Sequence, residues 1–138
     1  MDGLILASDD KSVKLWNVVT GVTMRSVELE AEVKFLVSLP DHRLLASCNM
    51  GHIYVIDTSS GDKIKIDTSA VPVEYVARPI VCVDVGGQDY VIAPRSGFID
   101  VYGVKSGKLE KTFKDDLKGK GHSESSQTNT LLHCLLLF

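Results

Sequence analysis

The sequence has few cysteines, and they do not form a recognisable framework. Cys48, Cys82 and Cys134 are an odd number, lie far apart and show neither a CxxC nor a Cys/His metal spacing. Small secreted domains usually carry an even, closely spaced set that forms disulfides, and zinc sites need ligands at short intervals. This cysteine usage therefore predicts reduced, mostly buried thiols in a cytoplasmic protein.

The chain also lacks an excess of basic charge and a long apolar run. The net charge is −3, which argues against a nucleic-acid partner. The longest apolar stretch, LLHCLLLF at 131–138, is far shorter than the roughly 20 residues that a membrane span needs. Met1 is followed at once by Asp2 and Gly3, a start that is not typical of a signal peptide. We expect no association with nucleic acid or membrane.

The common motifs of catalysis and phosphate binding are absent too. The sequence has no GxGxxG, P-loop lysine motif, HExxH or GxSxG. Asp9 and Asp10 are adjacent, but further oxygen ligands for a hard cation do not follow at a fixed spacing. All the histidines lie in predicted loops or in the tail: His42, His52, His122 and His133. We predict no catalytic residues, no cofactor and no metal.

Three segments of the chain align with one another. Anchored on the turn glycines Gly21, Gly61 and Gly107, they repeat at spacings of 40 and 46 residues. Each has a large apolar residue five positions before the glycine: Trp16, Ile56 and Tyr102. Each has a β-branched residue eight positions before it: Val13, Ile53 and Ile99. A small residue lies fourteen or fifteen positions before it: Ala7, Ala46 and Ala93.

Each segment has the pattern of short strands joined by polar turns. VKLW, IYVI and IDVY are short enough for strands and too short for helices. A further strand precedes the second segment at 33–39, before the turn PDHR. Another precedes the third at 80–85, before GGQD, where Gly86 and Gly87 can take positive φ. The sequence thus predicts eleven antiparallel strands in units of about 1–30, 31–68 and 76–113.

This pattern carries a family resemblance. A period of 40 to 46 residues with four strands is typical of a β-propeller blade, and positions 2–113 resemble the WD-repeat family. LILASDDKSVKLWN is similar to that family's second and third strands, with Trp16 and Asn17 in place of the usual Trp-Asp. FLVSLPDHRLLAS is similar to its first hairpin, with Pro40 and Asp41 at the tight turn.

The resemblance implies a structural hydrogen-bonded set in the first unit, formed by Ser8, Asp10 and Trp16. The histidine that completes the set in the family would come from a Gly-His pair upstream of Met1. The other two units depart from the motif: Ile56 and Tyr102 replace the tryptophan, and Met50 and Ser96 stand where the aspartate would be. Ile56 has no hydrogen-bond donor on its side chain, so it cannot join such a set. These two units equally resemble the propeller repeats of quinoprotein-like proteins.

We therefore expect an all-β fold, a partial and open β-propeller of three blades, the first without its inner strand. An open arc has apolar end faces and unpaired edges, so we expect the chain to be a piece of a larger protein with further blades. Positions 114–138 are interpreted as a polar linker with a short apolar tail, or as the start of a fourth blade introduced by Gly121 and His122.

The resemblance implies a scaffold that binds other proteins or peptides. Two alternatives stay open at this point. One is a segment of a cofactor-dependent, quinoprotein-like enzyme, and the other is a truncated product without a function of its own.

Overall fold

The computed structural model describes residues 3–8, 10–73 and 75–114, and for residues 3–8 it describes the backbone alone. The side chain of Ser8, the predicted tail beyond Lys114 and Cys134 lie outside the described residues. In the described part, eleven strands form three antiparallel sheets, with one turn of 3-10 helix at Asn49–Gly51. The predicted all-β class and strand number are confirmed, and no described helix is long and apolar enough to cross a membrane.

The strands pair with their neighbours in chain order within each sheet. Sheet 1 consists of β1 (Gly3–Ser8), β2 (Ser12–Asn17) and β3 (Thr23–Glu28). Sheet 2 consists of β4 (Val33–Leu39), β5 (Arg43–Cys48), β6 (Ile53–Asp57) and β7 (Lys63–Ile66). Sheet 3 consists of β8 (Val81–Val85), β9 (Gln88–Arg95), β10 (Phe98–Gly103) and β11 (Leu109–Lys114).

Two hairpin turns differ slightly from their predicted position. The turn between β8 and β9 contains only Gly86 and Gly87, with φ of 61° and 84°, because two residues of positive φ match the twist of the strands they connect. Gln88 and Asp89 of the predicted turn GGQD already belong to β9. In the turn after β4, the left-handed residues are Asp41 and His42, one position later than expected, and both are residue types that tolerate this conformation.

The described residues divide into two compact units. The first, Met1–Arg78, contains sheets 1 and 2. Sheet 1 contributes Val13 and Val27 to a buried cluster, and sheet 2 contributes Leu44, Tyr54 and Ile56. Because alternate residues of a strand share one face, each sheet presents one apolar face to the other. Full burial stabilises each such side chain by about 1.5–3 kcal/mol.

The second unit begins at Pro79 and contains sheet 3. One face of this sheet carries fully buried residues, among them Tyr102 and Asp100, both 0 % exposed. The Asp100 carboxylate accepts hydrogen bonds from Arg95 Nε at 2.7 Å and Thr112 Oγ1 at 2.9 Å. The buried charge is therefore compensated within the sheet.

Candidate protein-interaction surfaces

The turn before the last strand of each sheet has the same hydrogen bonds in all three repeats. The amides of Gly21, Gly61 and Gly107 donate to the carbonyl four residues earlier, at 2.8, 2.8 and 2.9 Å. Their φ angles are 71°, 82° and 69°, a region that favours glycine. The residue before each glycine has a hydroxyl that accepts the amide two residues later: Thr20, Ser60 and Ser106. The repeat predicted from the glycines is thus also present in the hydrogen bonding.

Two polar residues that the sequence analysis gave no role help to form these turns. Asn17 Oδ1 accepts the amides of Val19 and Thr20, and Asp57 Oδ1 accepts those of Ser59 and Ser60. The bonds from Ser60 and Ser59 lower the pKa of Asp57. The signal available in the sequence was an Asn or Asp four residues before the turn glycine, a residue type that favours such turns.

The proposed set of Ser8, Asp10 and Trp16 stays a prediction, since the side chain of Ser8 is outside the described part. Asp10 accepts a hydrogen bond from Ser12 Oγ at 2.7 Å and lies 3.9 Å from Lys14 Nζ. Trp16 Nε1 is buried and meets no hydrogen-bond acceptor among the described residues. Ser12, which the sequence analysis did not single out, is the described partner of Asp10.

The two residues that replace the tryptophan are core residues. Ile56 and Tyr102 are 1 % and 0 % exposed. The cysteines behave as predicted where they are described: Cys48 is a buried free thiol and Cys82 a half-buried one. Burial raises the pKa of Cys48 to about 11, so this thiol is protonated and unreactive at neutral pH. Within 3–8, 10–73 and 75–114, no cluster of three or more His, Cys, Asp or Glu side chains is placed to hold a metal.

A cleft of about 420 Å³ lies in the first unit, and we call it the loop cleft. It is lined by the connection between β5 and β6 (50–52), by the end of β7 with the loop that follows (65–73, of which 70 is not a lining residue), and by Arg78. Met50 and Val73 are exposed apolar residues of this lining, at 47 % and 61 %. The volume is in the range of ligand pockets and fits one or two side chains of an extended peptide.

Hydrogen bonds within the first unit fix the walls of the loop cleft. Thr68 Oγ1 donates to the carbonyl of Gly51 at 2.9 Å, which joins the loop to the β5–β6 connection. The Met50 amide donates to the carbonyl of Tyr75 at 3.0 Å, and Ser47 Oγ donates to the carbonyl of Arg78 at 2.6 Å. The cleft is therefore a preformed feature of the backbone.

His52 makes the loop cleft sensitive to pH. Burial lowers the pKa of His52, and the charge of Lys65 lowers it further. The folded protein therefore favours the neutral imidazole, while the unfolded chain takes up a proton near the ordinary value of about 6.5. Stability is lost as the pH falls through that value, because protons bind preferentially to the unfolded state.

We predict that His52→Gln will reduce the loss of unfolding free energy between pH 7.5 and pH 5.5 compared with the native chain. Urea unfolding at the two pH values measures this difference. His42→Asn is the matched control, because His42 is an exposed turn residue with φ of 58° and Asn tolerates that conformation. An unchanged pH dependence in His52→Gln would show that His52 does not cause the loss.

A second apolar surface lies on sheet 3, in the second unit. Here a groove of about 450 Å³ is lined mainly by apolar residues of all four strands, and we call it the open sheet face: Val83, Val85, Tyr90, Ile92, Val101 and Phe113. Val85 and Phe113 are 61 % and 47 % exposed. Large exposed apolar patches mark interaction sites more often than ordinary surface.

Comparison with known proteins shows similarity to ribosome biogenesis proteins, while no family model matches the chain. Ribosome biogenesis protein bop1-A of Xenopus laevis is 33 % identical over 96 residues, which cover 63 % of this chain and 13 % of that protein. The BOP1 homologue of Drosophila persimilis is 31 % identical over 65 residues, covering 46 % and 8 %. The chain thus spans only a small part of these relatives, whose names are not those of enzymes.

Proposed function

We propose that the chain is part of a β-propeller of the WD-repeat type and acts as a non-catalytic module that binds other proteins or peptides. The repeat spacing, the shared turn hydrogen bonds and the face-to-face packing of sheets 1 and 2 support this architecture. Rigid sheets of this kind hold their loops in fixed positions, and loops vary at little cost to the fold.

The loop cleft is the observation that carries the binding role. Its walls are loop backbone fixed by hydrogen bonds, and its apolar residues Met50 and Val73 are exposed without a partner chain. Preformed clefts of this kind bind with a smaller loss of conformational entropy than mobile segments. We infer that an extended segment of another protein places an apolar side chain there.

The relatives suggest the setting in which such a module works. Because their names describe ribosome biogenesis, we propose that the parent protein of this chain takes part in that process as a protein scaffold. Further blades of the same parent would complete the propeller. The absence of a nucleic-acid partner and a cytoplasmic location stay predictions from charge and cysteine usage.

The binding role predicts a selective effect of Val73→Glu. A carboxylate in the loop cleft should weaken partner capture by about tenfold, which corresponds to roughly 1.4 kcal/mol, because an apolar contact is replaced by a desolvated charge. The immobilised chain is exposed to cell extract, captured proteins are identified, and their affinity for each variant is then measured.

Val85→Glu is the matched control, since Val73 and Val85 are both 61 % exposed and Val85 lies on the open sheet face. Equal capture by native chain and Val73→Glu would contradict binding in the loop cleft. A chain that captures no protein reproducibly would favour the alternative of a product without its own function.

A further inference from the structure

The open sheet face repeats, in register, a surface that is already used for packing in the first unit. On sheet 1, Val13 pairs with Val27 and Leu15 with Arg25. The residues at the same distances from the turn glycine of sheet 3 also pair with each other: Ile99 with Phe113, and Val101 with Lys111. The two surfaces therefore occupy the same positions of the repeat.

In the first unit, this surface packs against the next sheet. Val13, Leu15 and Val27 face Leu44, Ile56 and Thr58 of sheet 2 across a gap of only about 10 Å³. Arg25 adds a polar contact, because its guanidinium donates to the carbonyls of Ser59 and Ser60 at 2.7 and 2.8 Å. A surface of this type thus docks onto another sheet of the same repeat, through apolar contact plus a cation over the turn.

The receiving surface also has an unoccupied counterpart, on sheet 1. The residues equivalent to Tyr54, Ile56 and Thr58 of sheet 2 are Lys14, Trp16 and Val18, which together we call the Trp16 face. Val18 is 61 % exposed, and Val19 in the adjoining turn is 85 % exposed. The chain therefore presents both halves of the contact between sheets 1 and 2, one on each unit.

We propose that the open sheet face of one chain docks on the Trp16 face of a second copy of the same chain. A second copy supplies the counterpart of each surface in the register that sheets 1 and 2 already use. Lys111, at the position of Arg25, would donate to the carbonyls of Val19 and Thr20, the counterparts of Ser59 and Ser60. The inference rests on the proposed stacking of repeated sheets, and the contact is heterologous because two different faces meet.

The test uses two variants, each of which changes one surface. Val18→Lys with Val19→Lys places charge on the Trp16 face, and Val85→Lys with Phe113→Lys places charge on the open sheet face. Sedimentation velocity of the full chain should show self-association for the native protein. Each variant alone should associate at least about tenfold more weakly, since two charges would be desolvated in the contact.

Mixing the two variants gives the sharpest result. Each retains one intact surface, so an equimolar mixture should form a 1:1 pair, and its formation also shows that both variants are folded. Ile64→Lys with Val76→Lys is the control, because these residues are 54 % and 76 % exposed and lie on neither surface; it should associate like the native chain.

Three outcomes would overturn the proposal: a monomeric native chain, a variant that self-associates like the native chain, or a mixture that stays monomeric. Self-association of the Trp16-face variant alone would mean that two open sheet faces meet each other instead. Val73→Glu separates this inference from the binding role, because it should keep self-association while losing capture at the loop cleft.

Discussion

Arg95→Met is expected to lower the free energy of unfolding by about 3–5 kcal/mol, the usual cost of removing one partner from a buried ion pair. Asp100 is 0 % exposed, and its carboxylate lies 2.7 Å from Arg95 Nε. The Arg95 guanidinium also lies 4.2 Å from the centre of the Phe98 ring, an attractive arrangement for a cation. Methionine fills much of the same volume, so the loss reports the missing charge rather than a cavity.

Lys65→Met provides the matched comparison. Lys65 Nζ lies 2.7 Å from Glu30, but the two side chains are 42 % and 61 % exposed. Solvent screens exposed pairs, which are worth about 0–1 kcal/mol. Urea unfolding of both variants measures the difference, and losses of similar size would show that the Asp100 site is not a buried charge pair.

Ile56→Ala is expected to cost about 2–5 kcal/mol, the range for removing a large aliphatic side chain from a packed core. Ile56 is 1 % exposed and belongs to the same buried cluster as Val13 and Val27. Its loss opens a cavity between sheets 1 and 2. Chemical unfolding followed by the fluorescence of Trp16, the only tryptophan, reports the sheet on the other side of that cavity.

Ile64→Ala is the control for this prediction, because Ile64 lies on β7 and is 54 % exposed. Substitutions at such positions usually change stability by less than about 0.5 kcal/mol. If both variants lost the same amount, the packing of sheets 1 and 2 through Ile56 would be refuted.

The strands and turn glycines could be predicted from the sequence because their causes are local. Gly86 and Gly87 mark a turn since few other residues accept positive φ, and the alternation around Ile53 marks a half-buried strand. The fourteen-or-fifteen-residue spacing of the small residues also anticipated the longer connection between β5 and β6. The same local signals placed the turn after β4 one residue early, because both Asp41 and His42 adopt the left-handed conformation.

The candidate surfaces depend on contacts that a local pattern does not show. In IDVY, Asp100 reads as the polar residue of an alternating strand, yet it is fully buried with Arg95 and Thr112. The loop cleft arises because Thr68 bonds to Gly51, seventeen residues earlier. Positions 69–75 carried no motif, so the sequence assigned no role to the loop that forms the cleft wall.

Hydrogen exchange of the chain with and without its captured partner tests the central claim most directly, because it reports which backbone amides the partner covers. A protein-interaction module that uses the loop cleft predicts slower exchange on binding at 50–52 and 65–73, with little change on β10 and β11. Protection confined to sheet 3, or no protection in the two cleft segments, would contradict the account.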